Sequence, residues 1–299
     1  MQVHLIDGTY ELFRYFYAPG GGHTSSVDGA EVGAVRGVLR SLTSLLEDGA
    51  THVGVATDHV IESFRNDLWP TYKNGDGIDP ELFAQFPWLE EALRAAGFTV
   101  WAMTTFEADD ALAAATEVAV ADPAVERVIV CTPDKDMAQL VRDSDVVQFD
   151  RRAGVIRDVA GVKGKFGVAP ESIPDWLALV GDSADGFPGL AGWGAKSAAA
   201  VLARYGHLED IPLAPGQWDI TVRGAAKLCA TLAERFDEAL LFRRIATLET
   251  DIDVGTPERW RWTGPTPEFA EWSRRLDVAD VVGRLDTLAR TRGPSTEPS

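Results

Sequence analysis

The chain has 299 residues, of which 46 are acidic and 28 basic, so its formal net charge is −18. This length fits one large domain or two smaller ones. Hydrophobic residues make up 45% and charged residues 25% of the chain, values that exclude wholesale disorder. No apolar run approaches the roughly 20 residues of a membrane-spanning helix. The acidic surplus, taken alone, argues against a nucleic-acid partner, because affinity for phosphates comes mainly from Lys and Arg.

The first half of the sequence alternates short β-branched apolar runs with longer helical patterns. Such runs predict buried strands of a parallel sheet in βαβ units, and the four clearest are Val3–Ile6, His52–Ala56, Phe98–Met103 and Arg127–Cys131. Helical patterns cover residues 32–47, 80–96, 108–121 and 135–141. Two weaker strands, 146–149 and 155–156, are expected at the sheet edge. The predicted fold class is therefore α/β with a mainly parallel sheet.

From about residue 159 the pattern changes to helices joined by glycine-rich turns. We therefore predict an α/β core over residues 1–157, a helical region over residues 158–289 and a disordered tail over residues 290–299. The glycine-rich loop Pro19–Gly22 is expected to be mobile or to face a substrate. The two cysteines, Cys131 and Cys229, lack metal-ligand spacing, and no signal peptide is evident, so a reduced cytoplasmic setting is expected.

An acidic residue stands at or just after the end of each clear strand. These residues are Asp7, Asp58, Glu107 and Asp134. Because the carboxyl ends of parallel strands lie at one edge of a sheet, the four side chains are expected to converge there. Each alone is also explained as a helix cap. Together they need a cation, since two carboxylates about 4 Å apart repel by roughly 4 kcal/mol at an effective dielectric near 20. Oxygen ligands suit Mg²⁺ or Mn²⁺, and two such ions indicate a phosphoryl hydrolase.

A second informative segment, Gly181 to Ala198, joins two helical patterns through a Gly/Pro turn and is here called the 181–198 hairpin. Its glycines allow close backbone approach, and the N-terminus of the second helix offers free N–H groups to a phosphate. A plain helix–helix turn is the alternative interpretation. The residues of the predicted phosphate site are Gly189, Gly192, Gly194, Lys196 and Ser197.

These segments, in this order, resemble the 5′ nuclease family, which comprises the flap endonuclease and 5′→3′ exonuclease domain of bacterial DNA polymerase I and stand-alone relatives. The matching stretches are residues 5–9, 64–65 with 72–73, 107–110, 132–140 and the 181–198 hairpin. Because no polymerase segment follows, we interpret the chain as the stand-alone form. The resemblance implies a PIN-like α/β core, a helical gateway at about residues 60–80, and a helix–three-turn–helix DNA-binding motif at about residues 172–206.

The resemblance also implies a metal site built from nine carboxylates. A first ion would be held by Asp7, Asp58, Glu107 and Asp109. A second ion would be held by Asp109, Asp134, Asp136 and Asp182. Asp110 and Asp185 would be outer ligands or would hold a third ion. The expected cofactors are therefore two to three Mg²⁺ or Mn²⁺ ions, and the family often carries K⁺ at the helix–three-turn–helix.

Four further residues have roles implied by the resemblance. Arg65 and Lys73 would steer and neutralise the scissile phosphate, and Phe13 and Arg14 would contact the displaced terminal nucleotide. Core packing of Phe13 and a solvated helix position for Arg65 are the open alternatives. Asp76 stands where the family usually carries an arginine, so flap threading and DNA affinity are expected to depart from the family norm.

The sequence thus predicts a structure-specific 5′ nuclease that hydrolyses DNA phosphodiesters in Okazaki-fragment processing and DNA repair. Its partners would be DNA with 5′ flaps, nicks or 5′ ends, together with a separate DNA polymerase and a ligase. A cytoplasmic monomer that acts at the nucleoid is expected. Two alternatives stay open: a PIN-type ribonuclease, which shares the carboxylates but does not need the 181–198 hairpin, and a non-catalytic DNA-junction binder.

Overall fold

The computed structural model describes residues 1–18 and 29–292, so the Pro19–Gly22 loop and residues 293–299 of the expected tail lie outside the described residues. The strands are β1 Gln2–Asp7, β2 His52–Asp58, β3 Thr99–Met103, β4 Arg127–Cys131, β5 Val146–Asp150 and β6 Val155–Arg157. The helices are α1 Gly8–Phe16, α2 Gly33–Glu47, α3 Arg65–Leu68, α4 Pro80–Phe83, α5 Gln85–Ala95, α6 Ala108–Ala121, α7 Val159–Phe166, α8 Ile173–Val180, α9 Ala195–Tyr205, α10 Ala225–Glu234, α11 Phe236–Ala246, α12 Phe269–Leu276 and α13 Ala279–Arg292.

All six predicted strands are present, with ends within two residues of those expected. The predicted helix over residues 80–96 is divided at Ala84 into α4 and α5. The predicted helix over residues 135–141 is wrong, because this stretch forms only a short 3₁₀ segment, Asp136–Leu140. A run this short cannot offset the cost of nucleating an α-helix, so the tighter turn is favoured. Helix α1 was not predicted, although its N-cap, Asp7, is visible in the sequence.

The first of two compact units comprises residues 1–61, 75–131 and 250–299. Its strands pair in parallel in the order β3-β2-β1-β4, with Ile6 opposite Val55 and Cys131. Every residue of β2 is buried, which explains the apolar run at its centre, residues 53–56. Parallel pairing brings the carboxyl ends of the four strands to one edge of the sheet.

The last described segment of the chain also belongs to the first unit. The Trp262 indole is buried and donates a hydrogen bond to the carbonyl of Ala96 (2.9 Å). On the surface, Arg40 of α2 pairs with Asp280 of α13 at 3.0 Å. Helix α13 ends at Arg292, so residues 290–292 of the expected tail are helical. The predicted domain boundary at residue 157 stays a prediction.

The second unit comprises residues 62–74 and 132–249. Strands β5 and β6 pair antiparallel, with Phe149 opposite Ile156. Helix α8 packs against α9 and α11. The hydrophobic core of this unit includes Leu177 of α8, Leu202 of α9 and Phe242 of α11. The turn after α8 begins at Gly181, where φ is +80°, and α9 begins at Ala195. Within residues 1–18 and 29–292, no helix is both long and apolar enough to cross a membrane.

Candidate metal and nucleic-acid site

Five of the nine candidate metal ligands lie in the first unit, at the carboxyl edge of its sheet. Asp7 and Asp58 end β1 and β2, and Glu107, Asp109 and Asp110 lie at the start of α6, which follows β3. Asp109 is half-buried. The exposed fractions of the other four are 6% for Asp7, 8% for Asp58, 3% for Glu107 and 0% for Asp110. The fold thus buries four carboxylates where a parallel sheet binds its ligands.

Backbone hydrogen bonds fix the orientation of these carboxylates. Asp58 Oδ1 accepts a hydrogen bond from the N–H of Ala108 at 2.7 Å, which ties the end of β2 to the start of α6. Asp110 Oδ2 accepts from the N–H of Glu107 at 2.9 Å. Asp7 Oδ1 accepts from the N–H of Tyr10 at 2.7 Å and so caps α1. The ends of β1 and β2 and the start of α6 are therefore held by the carboxylates themselves.

The other four candidate ligands, Asp134, Asp136, Asp182 and Asp185, lie in the second unit. Asp182 is 3% exposed, and its Oδ2 lies 2.8 Å from Lys135 Nζ. Asp185 Oδ1 lies 3.3 Å from Lys73 Nζ. Asp134 is exposed and accepts a hydrogen bond from the N–H of Lys135, whereas Asp136 is half-buried. Two of these four carboxylates are thus paired with lysine ammonium groups.

Basic side chains also surround Asp134 in the second unit. The pKa of Lys165 is lowered by burial and, to a smaller extent, by the positive charge of Arg157, while Asp134 and Asp150 act in the opposite direction. Arg157 also pairs with Asp150 at 3.9 Å. Carboxylates of this unit therefore lie in a mixed field of acidic and basic side chains.

The donor chemistry fits a hard divalent cation, because the candidate ligands are carboxylate oxygens and five of them are nearly buried. In the part of the chain that the structure describes, no group of three or more His, Cys, Asp and Glu side chains is arranged around a common metal position. The carboxylates instead bind backbone N–H groups and lysines. The nine-ligand metal site therefore stays a prediction.

Arg65 lies deep in the second unit, away from the solvated position that its helix suggested. Its side chain is 2% exposed, its Nε donates to the carbonyl of Ile245 at 2.8 Å, and its Nη2 donates to the carbonyl of Thr247 at 3.2 Å. These carbonyls lie at the C-terminal end of α11, where backbone acceptors lack helical partners. The solvated alternative is wrong, and contact of Arg65 with a scissile phosphate stays a prediction.

Residues 62–74 dock onto the 181–198 hairpin within the second unit. The indole Nε1 of Trp69 and the hydroxyl of Thr71 both donate to the carbonyl of Gly186, at 3.1 and 2.9 Å. The N–H of Lys73 donates to the carbonyl of Asp185 at 2.9 Å. The implied gateway lysine and the implied DNA-binding hairpin are therefore anchored to each other.

Phe13 and Arg14 lie on α1 in the first unit. The Phe13 ring is half-buried and packs edge-on against Phe86, with 6.3 Å between the ring centroids. The Arg14 guanidinium pairs with buried Glu11 and lies 4.3 Å from the centroid of the Tyr15 ring. Phe13 is thus partly a packing residue, and contact of either residue with a nucleotide stays a prediction.

The glycines of the 181–198 hairpin adopt the conformations that such a turn needs. Gly189 and Gly192 have φ values of +66° and +88°. Ser197 Oγ accepts from the N–H of Gly194 at 3.0 Å and donates to its carbonyl at 2.9 Å, so this hydroxyl caps α9. Lys196 is exposed. An open cavity of about 570 Å³ lies beside this turn and is lined by residues that include Gly192, Gly194, Lys196, Ser197 and Arg223.

Sequence reasoning missed three residues that support the carboxylates. Thr9 Oγ1 accepts from the N–H of Asp58 at 2.9 Å. Glu90 is 2% exposed and accepts from the hydroxyl of Thr57 at 2.9 Å. Lys135 pairs with Asp182 as described above. Glu90 alone left a signal, since it occupies the apolar face of the predicted helix one turn after Phe86.

Comparison with known proteins decides the family. The family model described as "5'-3' exonuclease, N-terminal resolvase-like domain" matches residues 2–167, more than half of the chain, and "5'-3' exonuclease, C-terminal SAM fold" matches residues 168–268. The chain belongs to the 5′-3′ exonuclease family. Membership confirms the resemblance to the 5′ nucleases and the predicted fold class, an α/β PIN-like core with a helical C-terminal region. The nuclease class is that of a hydrolase, as predicted.

The similar curated proteins of this 5′-3′ exonuclease family are bacterial DNA polymerases. DNA polymerase I of Pseudomonas aeruginosa is 36% identical over 84% of this chain and 27% of its own length. DNA polymerase I of Mycobacterium tuberculosis is 38% identical over 98% of this chain and 32% of its own length. The chain therefore spans about a third of the length of the curated relatives it matches.

Two solved structures share the fold of this 5′-3′ exonuclease. The T5 D15 protein, co-crystallized with metal ions, is 19% identical with a TM-score of 0.65, over 97% of this chain and 98% of that one. The catalytic core of Rad2 in complex with DNA substrate (complex III) is 16% identical with a TM-score of 0.62, over 96% of this chain and 92% of that one. At these identities the likeness establishes the fold.

Proposed function

We propose that this chain is a divalent-metal-dependent, structure-specific 5′ nuclease that acts on DNA as a 5′→3′ exonuclease and flap endonuclease. Its biological role would be Okazaki-fragment processing and DNA repair. Family membership supports the reaction class, and the T5 5′-exonuclease of similar fold binds divalent zinc in its own structure. For this chain we propose Mg²⁺ or Mn²⁺, two to three ions in all, because the candidate ligands are hard carboxylate oxygens.

The observation that carries this proposal is the set of four buried carboxylates at the sheet edge of the first unit, Asp7, Asp58, Glu107 and Asp110. Burial of several acids costs free energy unless hydrogen bonds and a cation offset it, so a fold retains such a set for chemistry. When bound, divalent ions activate water and stabilise charge at a phosphoryl group. Hydrogen bonds from the backbone N–H groups of Ala108, Glu107 and Tyr10 fix the orientation of three of these carboxylates.

We assign the second unit to substrate binding and to the remaining ligands. The N-terminus of α9, with exposed Lys196 and a neighbouring cavity, suits a DNA phosphate, and a K⁺ ion at this turn belongs to the proposal. Ser197 would contribute mainly by holding the backbone of Gly194, to which its hydroxyl is hydrogen-bonded, rather than by donating to the phosphate itself. Lys73, which pairs with Asp185, would neutralise the scissile phosphate.

The proposed substrates are DNA flaps, nicks and free 5′ ends. The catalytic core of Rad2, which has a similar fold, was solved in complex with DNA substrate. A DNA polymerase and a ligase would act on the same DNA before and after cleavage. We propose a monomer that works in the cytoplasm at the nucleoid.

The test uses 5′-labelled flap DNA, nicked duplex and single-stranded RNA, with and without Mn²⁺. We expect metal-dependent cutting near the base of the DNA flap and at 5′ ends. Asp134→Ala should abolish cutting, whereas exposed Glu234 of α10 offers a matched control, and Glu234→Ala should cut like the parent.

Each other outcome contradicts the proposal in a defined way. Cutting of RNA alone would favour a PIN-type ribonuclease. Binding of flap DNA without cutting would favour a junction-binding protein. An Asp134→Ala variant as active as the parent would remove the carboxylates from the mechanism.

A further inference from the structure

Lys135 forms an ion pair with one of the candidate metal ligands of the second unit. It lies between the candidate ligands Asp134 and Asp136, and its Nζ is 2.8 Å from Oδ2 of a third candidate, Asp182. The exposed fraction is 33% for the lysine side chain and only 3% for the aspartate. The ammonium is therefore accessible to solvent on one side, while the carboxylate that it neutralises is not.

The Asp182 carboxylate has little freedom to move away from this lysine. Its Oδ1 accepts a hydrogen bond from the N–H of Ala184 at 2.9 Å. Its backbone exchanges two hydrogen bonds with Phe187, at 2.8 and 3.0 Å, which close the tip of the 181–198 hairpin. Because Oδ1 already accepts the hydrogen bond from Ala184, a cation that binds through Oδ2 meets Lys135 at that oxygen.

An ammonium group and a divalent ion at bonding distance from the same oxygen repel each other and compete for its lone pairs, so each weakens the binding of the other. The lysine has four methylene groups and an exposed side, so it can swing into solvent when displaced. A buried carboxylate that loses one cation must gain another, since an unpaired buried charge is strongly destabilising.

We propose that Lys135 is an exchangeable counter-ion of the metal site: it holds Asp182 until a divalent cation takes the same oxygen, and then moves out into solvent. The proposal rests on the proposed function, since it takes Asp182 as a metal ligand. Lys135 is thus a positioning residue that weakens metal affinity and keeps the hairpin closed without the ion.

The primary test is Mn²⁺ binding followed by electron paramagnetic resonance of free Mn²⁺, with no substrate present. Lys135→Met should lower the apparent Kd by about tenfold, which corresponds to about 1.4 kcal/mol. Lys135→Arg keeps a cation and should bind Mn²⁺ like the parent. Exposed Lys227 of α10 provides the control Lys227→Met, which should also bind like the parent.

A double-mutant cycle locates the effect at the Lys135–Asp182 pair. Asp182→Asn should weaken Mn²⁺ binding, and in that background Lys135→Met should change the Kd by less than twofold. A persisting tenfold effect would overturn the proposal, because it would show that the lysine acts on the ions without Asp182.

Lysine footprinting of the parent protein avoids any folding defect of the variants. The acetylation rate of Lys135, measured by mass spectrometry, should rise several-fold when saturating Mg²⁺ is added, while that of Lys227 stays constant. An unchanged rate at Lys135, with Mg²⁺ bound, would overturn the exchange.

The failure of this inference differs from that of the proposed function. If Asp182→Asn weakens Mn²⁺ binding but Lys135→Met does not tighten it, the metal site stands and the counter-ion role falls. If Asp182→Asn leaves Mn²⁺ binding unchanged, Asp182 is not a ligand and the counter-ion role falls, while the buried carboxylates of the first unit still support the proposed function. Only a parent protein that binds no Mn²⁺ would overturn both.

Discussion

At the scale of single residues, two uncharged neighbours help to orient the candidate ligand Asp58. The N–H of Asp58 is held by the hydroxyl of Thr9, and the carboxylate of Asp58 is held by the N–H of Ala108. A substitution at Thr9 should therefore disturb the position of Asp58 while every acidic side chain is retained.

Thr9→Val should lower the free energy of unfolding by about 1–3 kcal/mol, because the N–H of Asp58 loses its acceptor. Thr9→Ser keeps the hydroxyl and should stay within about 0.5 kcal/mol of the parent. Urea unfolding of the three proteins measures this difference. Equal stability of Thr9→Val and Thr9→Ser would show that the hydrogen bond has no energetic role.

At the scale of secondary-structure elements, residues 62–74 connect α11 to the 181–198 hairpin. Arg65 reaches the end of α11, while Trp69 and Thr71 reach Gly186. The sequence predicted a gateway here, but its anchoring depends on contacts with residues more than 100 positions away, which no local pattern encodes.

Arg65→Met should lower the free energy of unfolding by about 2–4 kcal/mol, since the buried carbonyl of Ile245 and the partly buried carbonyl of Thr247 lose a charged donor. Arg244 is the control, because its side chain is 50% exposed and pairs with Glu249 at the surface. Arg244→Met should cost less than about 1 kcal/mol. Thermal unfolding compares the two variants, and an Arg65→Met protein as stable as the parent would refute the anchor.

Two glycines of the hairpin differ only in what surrounds them. Both have positive φ, but a Cβ at Gly186 would lie 2.0 Å from the carbonyl oxygen of Thr71, whereas a Cβ at Gly192 would meet nothing within 4 Å. Gly192→Ala should cost about 1–2 kcal/mol from backbone strain alone. Gly186→Ala should cost about 1–3 kcal/mol more. Equal losses in chemical unfolding would mean that residues 62–74 do not dock on the hairpin.

At the scale of the whole molecule, the structure suggests a different interpretation of the acidic surplus. This surplus argued against a nucleic-acid partner, yet nine of the 46 acidic residues are candidate ligands of metal ions. The strands and the carboxylates after them were predictable, because alternation of strands and helices fixes which edge collects the carboxyl ends. The burial of Arg65 and the Lys135–Asp182 pair could not be predicted, because both depend on groups that meet only in the folded second unit.

The central claim is that the buried carboxylates of the first unit serve metal-dependent cleavage of DNA. The most direct measurement is the single-turnover rate of 5′-flap cleavage in Mn²⁺ for Asp58→Asn. Asparagine keeps an oxygen that can accept the N–H of Ala108, so the fold should persist while the ligand charge is lost. We expect a rate at least a hundredfold lower, which corresponds to about 2.7 kcal/mol in activation free energy. A rate within twofold of the parent, at unchanged flap binding, would contradict the central claim.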